Sequence, residues 1–366
     1  MKFTLLKTNN SEIGIRLDQF LAKKLSMTRE NIKKNIDADQ IFCFKYENKN
    51  DSLSEENENT EEMDDSEKIL ETFQNNNIKK KAVKLSHKIS ENDCIAFKLY
   101  EEENEKEKKD LSGFDFQKMI VFEDEHLIII NKEWNILTHD KPGDSNEVTI
   151  VDLMKDHLEK QNLDSNVGEE GRECIVHRLD KETSGLMILA KTQKSYQLLT
   201  KMFKDKEISK KYLGIICGKL NPMCGKIKEY IGRDKINRMK RCVAIKKTLK
   251  HYPDAKEAIT HFFMKEEYIG GRVSLAEFIL ETGRTHQIRV HMDFLKCPIL
   301  GDKMYGMNRN NDIQRNYLNT EIKRHMLHSH YLQFEHPITQ EIIELESRLP
   351  DDMKKVIHIC KTINLK

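Results

Sequence analysis

The stretch HRLDKETSGLMILAKT, residues 177–192, crowds Arg178, Asp180, Lys181 and Glu182 against an apolar run, GLMILA. In an extended segment, residues two apart share a face, so Arg178 and Asp180 point the same way while Leu179 faces the core. A guanidinium close to a carboxylate keeps it ionised. An ionised, positioned carboxylate can act as a nucleophile or a general base; the same pair also reads as a plain ion pair at a strand entry. Two further segments carry similar potential. KKYLG, at 210–214, sets Tyr212 between a lysine pair and a strand. ETGRTHQIRVHM, at 281–292, carries Arg284, His286, Arg289 and His291 after a glycine turn. If that segment is extended, Arg289 and His291 share a face; if helical, Thr285 and Arg289 do. Its plainer reading is a basic surface helix, and its density of polar groups beside an apolar strand argues against that.

The elements that must position these residues are mostly strands. MIVFEDEHLIIINK, GLMILAKT, KKYLGIICGKL, VSLAEFILET and HYLQFEH read as strands; SYQLLTKMFKDK and HQIRVHMDFLK lie between them as helices. The elements alternate without a regular βαβ rhythm, which predicts an α+β domain on a largely antiparallel sheet. No Gly-x-Gly-x-x-Gly or Walker-type loop occurs, so nothing points to nucleotide phosphates.

Upstream, residues 1–46 and 78–100 read as one small module split by an insertion. Ile13, Leu17, Phe20, Leu21 and Leu25 fall on one helical face. Thr28 could cap a second helix with Ile32 and Ile36 inward and Arg29, Lys33 and Lys34 outward. QIFCF reads as a strand, and KAVKLSHKISENDCIAFKL as two strands around a turn at Glu91-Asn92-Asp93. The intervening stretch is acidic and Asn-rich, a composition that predicts disorder.

Net charge over the 366 residues is +1, with 38% hydrophobic and 34% charged residues. That near-neutrality conceals an asymmetry. Residues 51–72 hold ten acids and one lysine, and residues 101–110 six acids and three lysines. Setting aside those balances of −9 and −3 leaves about +13 on the rest, which suggests a polyanionic partner such as nucleic acid. No run of about 18 apolar residues exists to span a membrane. The first residues lack signal-peptide or transit-peptide character, so a cytoplasmic protein is expected. Eight scattered cysteines form no Cys-x-x-Cys, and fourteen histidines form no His-Glu-x-x-His, so reduced structural thiols and no zinc helix are expected.

Taken together, HRLDKETSGLMILAKT, KKYLGIICGKL and ETGRTHQIRVHMDFLKCPILGDKMYG closely resemble the catalytic-Asp, tyrosine and third motifs of the RluA-type pseudouridine synthases. VFEDEHLIIINK, IGRDKINRMKRCVA and HMLHSHYLQFEHPIT extend the resemblance from about 118 to 357. The upstream module is similar to an S4 RNA-binding domain, on RLDQFLAKKL, TRENIKKNIDADQIF and KAVKLSHKISENDCI. This layout resembles family members that modify large-subunit ribosomal RNA. One stretch departs from the pattern. Where the family commonly reads Asn-Lys-Pro-x-Gly, this chain has Asn131-Lys132-Glu133-Trp134-Asn135, and losing the proline and glycine is expected to alter the turn there.

The resemblance implies an S4-like α/β domain at 1–100 interrupted at about 47–77, a charged linker at 101–113, and an α+β catalytic domain at 114–366 with a central RNA cleft. It implies an isomerase that cuts the N1–C1′ bond of a uridine, turns the uracil and rejoins it through C5, with no cofactor or metal. Asp180 would act at the ribose, Arg289 would hold it charged, and Tyr212 would stack on the base or take a proton. Arg178 would grip the flipped nucleotide or fill the space it leaves. His177, Arg284, His286 and Gln287 are expected on the substrate. Arg29, Lys33, Lys34, Lys211, Arg233 and Arg238 are expected on RNA phosphates, with Lys210, Lys240 and Arg241 as further candidates. The expected partner is RNA, large-subunit rRNA first and tRNA as the alternative, bound by a monomer with no membrane association. Three rivals stand beside this reading. A non-catalytic ribosome-assembly factor would not need Asp180. An RNA N-glycosidase would release the base. A metal enzyme on HMLHSH would rest on His328 and His330 alone.

Overall fold

The computed structural model describes residues 4–8, 12–25, 32, 41–45, 81–82, 86–90, 93–97, 109–140, 147–169 and 171–364. The chain divides into two units, Met1–Lys108 and Lys109–Lys366. The acidic insertion and the basic residues Arg29, Lys33 and Lys34 lie outside the described residues.

In the first unit, β1 (Thr4–Lys7), β2 (Ile41–Lys45), β3 (Lys81–Ala82) and β4 (Asp93–Phe97) form a sheet in the order β1-β4-β2-β3. The helix α1 (Leu17–Leu25) packs Leu17, Phe20 and Leu21 into a core with Ile32, Ile41, Ile89 and Ile95. Ile13, expected on that apolar face, precedes the helix in a turn and is exposed. The two strands expected to form one hairpin are not neighbours: β2 lies between β3 and β4 and pairs with both. Sequence adjacency suggested a pairing across the turn, but β4 instead pairs with β2 along five residues, Phe97 through Asp93 opposite Ile41 through Lys45.

The second unit starts at Lys109, whose ammonium bonds Asp140 at 2.9 Å and Asp152 at 2.8 Å, so the end of the expected linker is fastened to it. It is an α+β structure on one ten-stranded sheet. Its elements run α2 (Phe116–Met119), β5 (Ile120–Glu123), β6 (Leu127–Lys132), α3 (Ile150–Lys160), β7 (Ser184–Ala190), α4 (Gln193–Asp205), β8 (Ser209–Cys217), β9 (Cys224–Arg233), β10 (Arg241–Ala244), β11 (Lys256–Tyr268), β12 (Val273–Leu280), α5 (Gln287–Phe294), α6 (Met307–Ile313), β13 (Leu327–Glu335), β14 (Ile342–Glu346) and α7 (Asp351–Asn364). The strand order is β10-β9-β11-β12-β8-β13-β7-β6-β5, with β14 on β13. All pairs are antiparallel except β13 with β7.

Local chemistry explains the elements around the site. SGLMILA is buried at every position, as a strand covered on both faces must be. Thr192 and Ser195 close a capping box on α4, and Thr149 and Asp152 one on α3, so both helices start where their backbone donors are met. HQIRVHMDFLK is helical from Gln287 to Phe294, but it is no surface helix, since Gln287 through Met292 are all buried. The strand order places β12, β8, β13 and β7 side by side, which gathers the three chemistry-bearing segments at one place. Among the described residues, no helix is long and apolar enough to cross a membrane.

Candidate active site

Asp180 ends an irregular segment that runs beside β7. Ile175 bridges Leu189, Cys174 accepts from the Ala190 N–H, and Leu179 is buried. His177 accepts the Ile188 backbone N–H on Nε2 at 2.9 Å, and its ring meets Phe203. Thr138 Oγ1 donates to the Leu179 carbonyl at 2.8 Å, and the Thr183 N–H donates to the Asp180 carbonyl at 3.0 Å. Just beyond Asp180, the Lys181 carbonyl accepts from the Asn135 N–H at 2.8 Å and from Lys132 Nζ at 3.2 Å.

Those last contacts come from the stretch that departs from the family pattern. Asn135 has φ +69°, the left-handed conformation a glycine would adopt and one that asparagine tolerates. The turn hands its N–H to the Lys181 carbonyl. Lys132 is buried and donates also to the Glu133 and Ile136 carbonyls, at 2.8 and 3.0 Å. Burial pushes its ammonium down to about 7, against the pull of Asp180.

The Asp180 carboxylate meets Arg289 from the buried face of α5. Arg289 Nη1 donates to Asp180 Oδ2 at 2.9 Å, while Nε and Nη2 donate to the two oxygens of Asp302 at 2.7 and 3.1 Å. Asp302 in turn accepts the N–H groups of Met304 and Tyr305 at 2.9 and 3.0 Å. The guanidinium is thus locked by a bidentate acid before it reaches Asp180. On the other side, His286 Nε2 lies 3.9 Å from Asp180 and Nδ1 lies 2.9 Å from the Tyr305 hydroxyl. The Arg241 N–H donates to that hydroxyl at 2.8 Å, so the Tyr305 O–H can donate to His286 Nδ1 and leave an Nε2–H facing Asp180. Burial alone would raise the Asp180 carboxyl, but the charges of His286, Arg289 and His325 bring it down to about 2. Arg289 carries this pull at neutral pH, because burial holds His286 at about 4 and His325 below its ordinary value.

Tyr212 enters from β8, nearly buried, and burial together with the Asp180 charge pushes its hydroxyl up to about 12. Asp180, Tyr212, Arg289, Arg178, His177, Arg284, His286 and Gln287 all line one cavity of about 330 Å³. Their states differ. Arg178 is exposed and makes no hydrogen bond or ion pair among the described residues, so the guanidinium expected beside Asp180 from sequence spacing is supplied by Arg289 instead. Arg284 spends Nε on the Glu257 carbonyl and keeps its other donors. Gln287 and His177 line the cavity and also hold the backbone around it. Gln287 is buried, donates to the Ile259 carbonyl and Thr260 Oγ1, and accepts from Thr282 and the Arg284 N–H. Its amide is used up in holding the turn before α5, as the His177 acceptor is in holding β7.

The basic candidates are spread more widely. Lys210 lies over the Phe203 ring at 4.8 Å and Lys211 over Tyr331 at 4.2 Å. Burial draws the Lys210 ammonium down to about 8. Arg233 and Arg238 are exposed at the end of β9 and in the β9–β10 loop. Lys240 lies over Tyr305 at 5.8 Å, and Arg241 is 3.7 Å from Asp254. His328, a residue of the rival metal reading, occupies both nitrogens with Ser184 and Ser347 at 2.9 and 2.6 Å.

Sequence reasoning missed Asp302, Tyr305, Lys132 and Arg324. Asp302 and Tyr305 stand in ILGDKMYG, part of a recognised motif, and an acid after a glycine was the available signal. Arg324 had none. It is fully buried, clamps Asp352 of α7 at 2.6 and 3.0 Å, and donates to the Glu182 carbonyl two residues after Asp180.

Residues 126–294 match the family described as RNA pseudouridylate synthase. The chain is 32% identical over 276 residues to the uncharacterized RNA pseudouridine synthase YlyB of Bacillus subtilis, spanning 75% of this chain and 82% of that one. It is 37% identical over 238 residues to ribosomal large subunit pseudouridine synthase D of Borreliella burgdorferi, spanning 65% of this chain and 69% of that one. The structure titled human RNA pseudouridylate synthase domain containing 4 is similar in fold, with a TM-score of 0.54 at 24% identity over 67% of this chain and 94% of that one.

Proposed function

The chain belongs to the RNA pseudouridylate synthase family, and on that premise we propose that it isomerises specific uridines of large-subunit ribosomal RNA with Asp180 as the group that acts at the ribose. One observation carries the assignment of Asp180: its carboxylate faces the cavity while Arg289, itself clamped by Asp302, keeps it ionised. Relatives named for the large ribosomal subunit support the substrate class.

The reaction breaks the N1–C1′ bond, forms C5–C1′, and moves one proton from C5 while N1 gains one, so it is redox-neutral. The ribose passes through oxocarbenium-like character at C1′. An ionised carboxylate suits both routes open to it, attack at C1′ or removal of a sugar proton. A cavity of about 330 Å³ suits a nucleotide and excludes a duplex, so the target base leaves its stack first. Arg178, exposed and lining the same cavity, would hold the flipped nucleotide. Tyr212 is placed to stack on the base as a neutral phenol, since a hydroxyl held at about 12 stays protonated near neutrality. Arg284, His286 and the cations Lys210, Lys211, Arg233 and Arg238 are assigned to substrate and phosphates. Arg29, Lys33 and Lys34 keep that role as part of an S4-like module.

The test is pseudouridine mapping of rRNA and tRNA from cells with and without the protein, with purified enzyme assayed for tritium release from 5-[³H]uridine-labelled rRNA and for free uracil. The reading expects a lost rRNA site and tritium release without uracil. Sites lost only in tRNA would overturn the substrate class. Free uracil would make the enzyme a glycosidase, and no release from any RNA would leave an RNA-binding protein.

A further inference from the structure

The first unit holds a side-chain cluster that has no part in uridine chemistry. Cys43 of β2 is opposite Ile95 of β4, and Lys45 is opposite Asp93, so Cys43 and Asp93 lie diagonally on one face of the sheet. His87 comes from the segment between β3 and β4. Its backbone is set by the Leu17 N–H, which donates to its carbonyl at 2.8 Å, and by the adjacent Arg16–Lys88 bridge. His87 Nε2 lies 3.7 Å from Cys43 Sγ and 3.2 Å from Asp93 Oδ2. The Ser90 N–H donates to that same Asp93 oxygen at 2.8 Å, and Thr8 Oγ1 donates to the Asp93 carbonyl at 2.7 Å. The carboxylate is thereby held in place on the buried side of the cluster.

The imidazole faces both partners with one nitrogen. A neutral ring nitrogen carries either a proton or a lone pair, so it serves one of the two fully. A relay of the nucleophilic kind would need opposite nitrogens of the ring for its two partners. A cation uses all three groups at once. With bond lengths of about 2.3 Å to sulfur and about 2.0–2.1 Å to nitrogen and oxygen, tetrahedral zinc sets its sulfur–nitrogen edge at about 3.5 Å and its nitrogen–oxygen edge at about 3.4 Å. The observed 3.7 and 3.2 Å lie within a few tenths of an ångström of those edges. All three ligand atoms lie within 4.8 Å of one another.

We propose that Cys43, His87 and Asp93 form a metal site in the first unit, taking Zn²⁺ with a fourth position open on the His87 side. A thiolate and an imidazole select zinc over magnesium or calcium. His87 is 36% exposed, which supplies an entry path, whereas Asp93 is 4% exposed. Binding takes the thiol proton of Cys43 into solution as the sulfur–metal bond forms. The site would join β2, the 86–90 segment and β4 beside a small core, eight buried side chains among the described residues, the setting in which a metal adds most to a small fold.

The experiment uses the full chain, stripped with a chelator and titrated with cobalt(II) as an optical substitute for zinc. One cobalt per chain is expected, with a thiolate-to-cobalt charge-transfer band and the strong visible absorption of a tetrahedral site, both abolished by added zinc. Cys43→Ser should remove the charge-transfer band, and His87→Gln should weaken cobalt binding at least about tenfold. His87 is partly exposed, so His87→Gln leaves the core intact and decides the matter by itself if Cys43→Ser fails to fold. Absence of the charge-transfer band in the intact chain would overturn the proposal. So would an unchanged band and affinity in His87→Gln, which would place the metal on other cysteines.

Discussion

At Asp180, charge and shape can be separated by one substitution. Asp180, Arg289 and Asp302 together carry one excess negative charge, so Asp180→Asn leaves Arg289 balanced by Asp302 with its bidentate bonds intact. The fold should hold, with an unchanged or raised melting temperature. RNA binding should persist, because it rests on many phosphate contacts. An amide is neither nucleophile nor base, so turnover should drop below detection in the tritium-release assay; substantial release by the purified variant would sink the role given to Asp180. Arg178 poses a different question, since it has no partner among the described residues and no fold to maintain. Arg178→Ala should slow modification of structured rRNA more than that of a short single strand, because only the former has stacking to overcome. Equal losses on both substrates, measured as kcat/KM, would assign Arg178 to orienting Asp180 instead.

At the scale of elements, the site depends on how β7 meets β13. Ser184 and Gly185 make the one parallel strand pairing of the large sheet among the described residues, with His328 and Ser329. Gly185 has φ +115°, and a β-carbon there would stand 2.2 Å from the Ser329 carbonyl oxygen. No side chain fits that approach, which is why a glycine interrupts an otherwise apolar strand directly after the Asp180 loop. Gly185→Ala should cost at least about 2 kcal/mol from backbone strain and the forced separation of β7 from β13. Urea unfolding would report it, and a variant as stable as the parent would show that the two strands can part without cost.

Across the whole molecule, buried histidines tie stability to pH. Burial holds His286, His291 and His328 at about 4, whereas a histidine in the unfolded chain titrates near about 6.5. Between those values the unfolded chain binds more protons, so stability is full above about 6.5 and falls as pH drops toward 4. Asp180, held at about 2, adds its own loss only below the unfolded carboxylate value of about 4. The unfolding free energy from urea titration should therefore decline from pH 7 to pH 5, by on the order of 2 kcal/mol per histidine, and the midpoint with it. His291 Nε2 has no hydrogen-bond partner among the described residues, and His291→Gln should flatten the decline. A midpoint constant over that range would contradict the assignment of these histidines as buried and neutral.

Taken by itself, the sequence determined the local pieces: the apolar run of β7, the helical run of α4, and the three segments that carry Asp180, Tyr212 and Arg289. These follow from neighbours along the chain, where periodicity and cap chemistry act. Only the tertiary structure decided which groups meet. Asp180 and Arg289 are 109 residues apart, and Arg178, two residues from Asp180, does not hold it. Asp302 became a clamp, Gln287 and His177 became supports, and Arg324 joined the Asp180 loop to α7, because each position is set by strand order and helix docking rather than by spacing. The same reason separates Cys43, His87 and Asp93 in sequence, with no Cys-x-x-Cys to announce them. A pattern read along the chain reports which face a residue takes, whereas a site is a point where faces from distant segments converge.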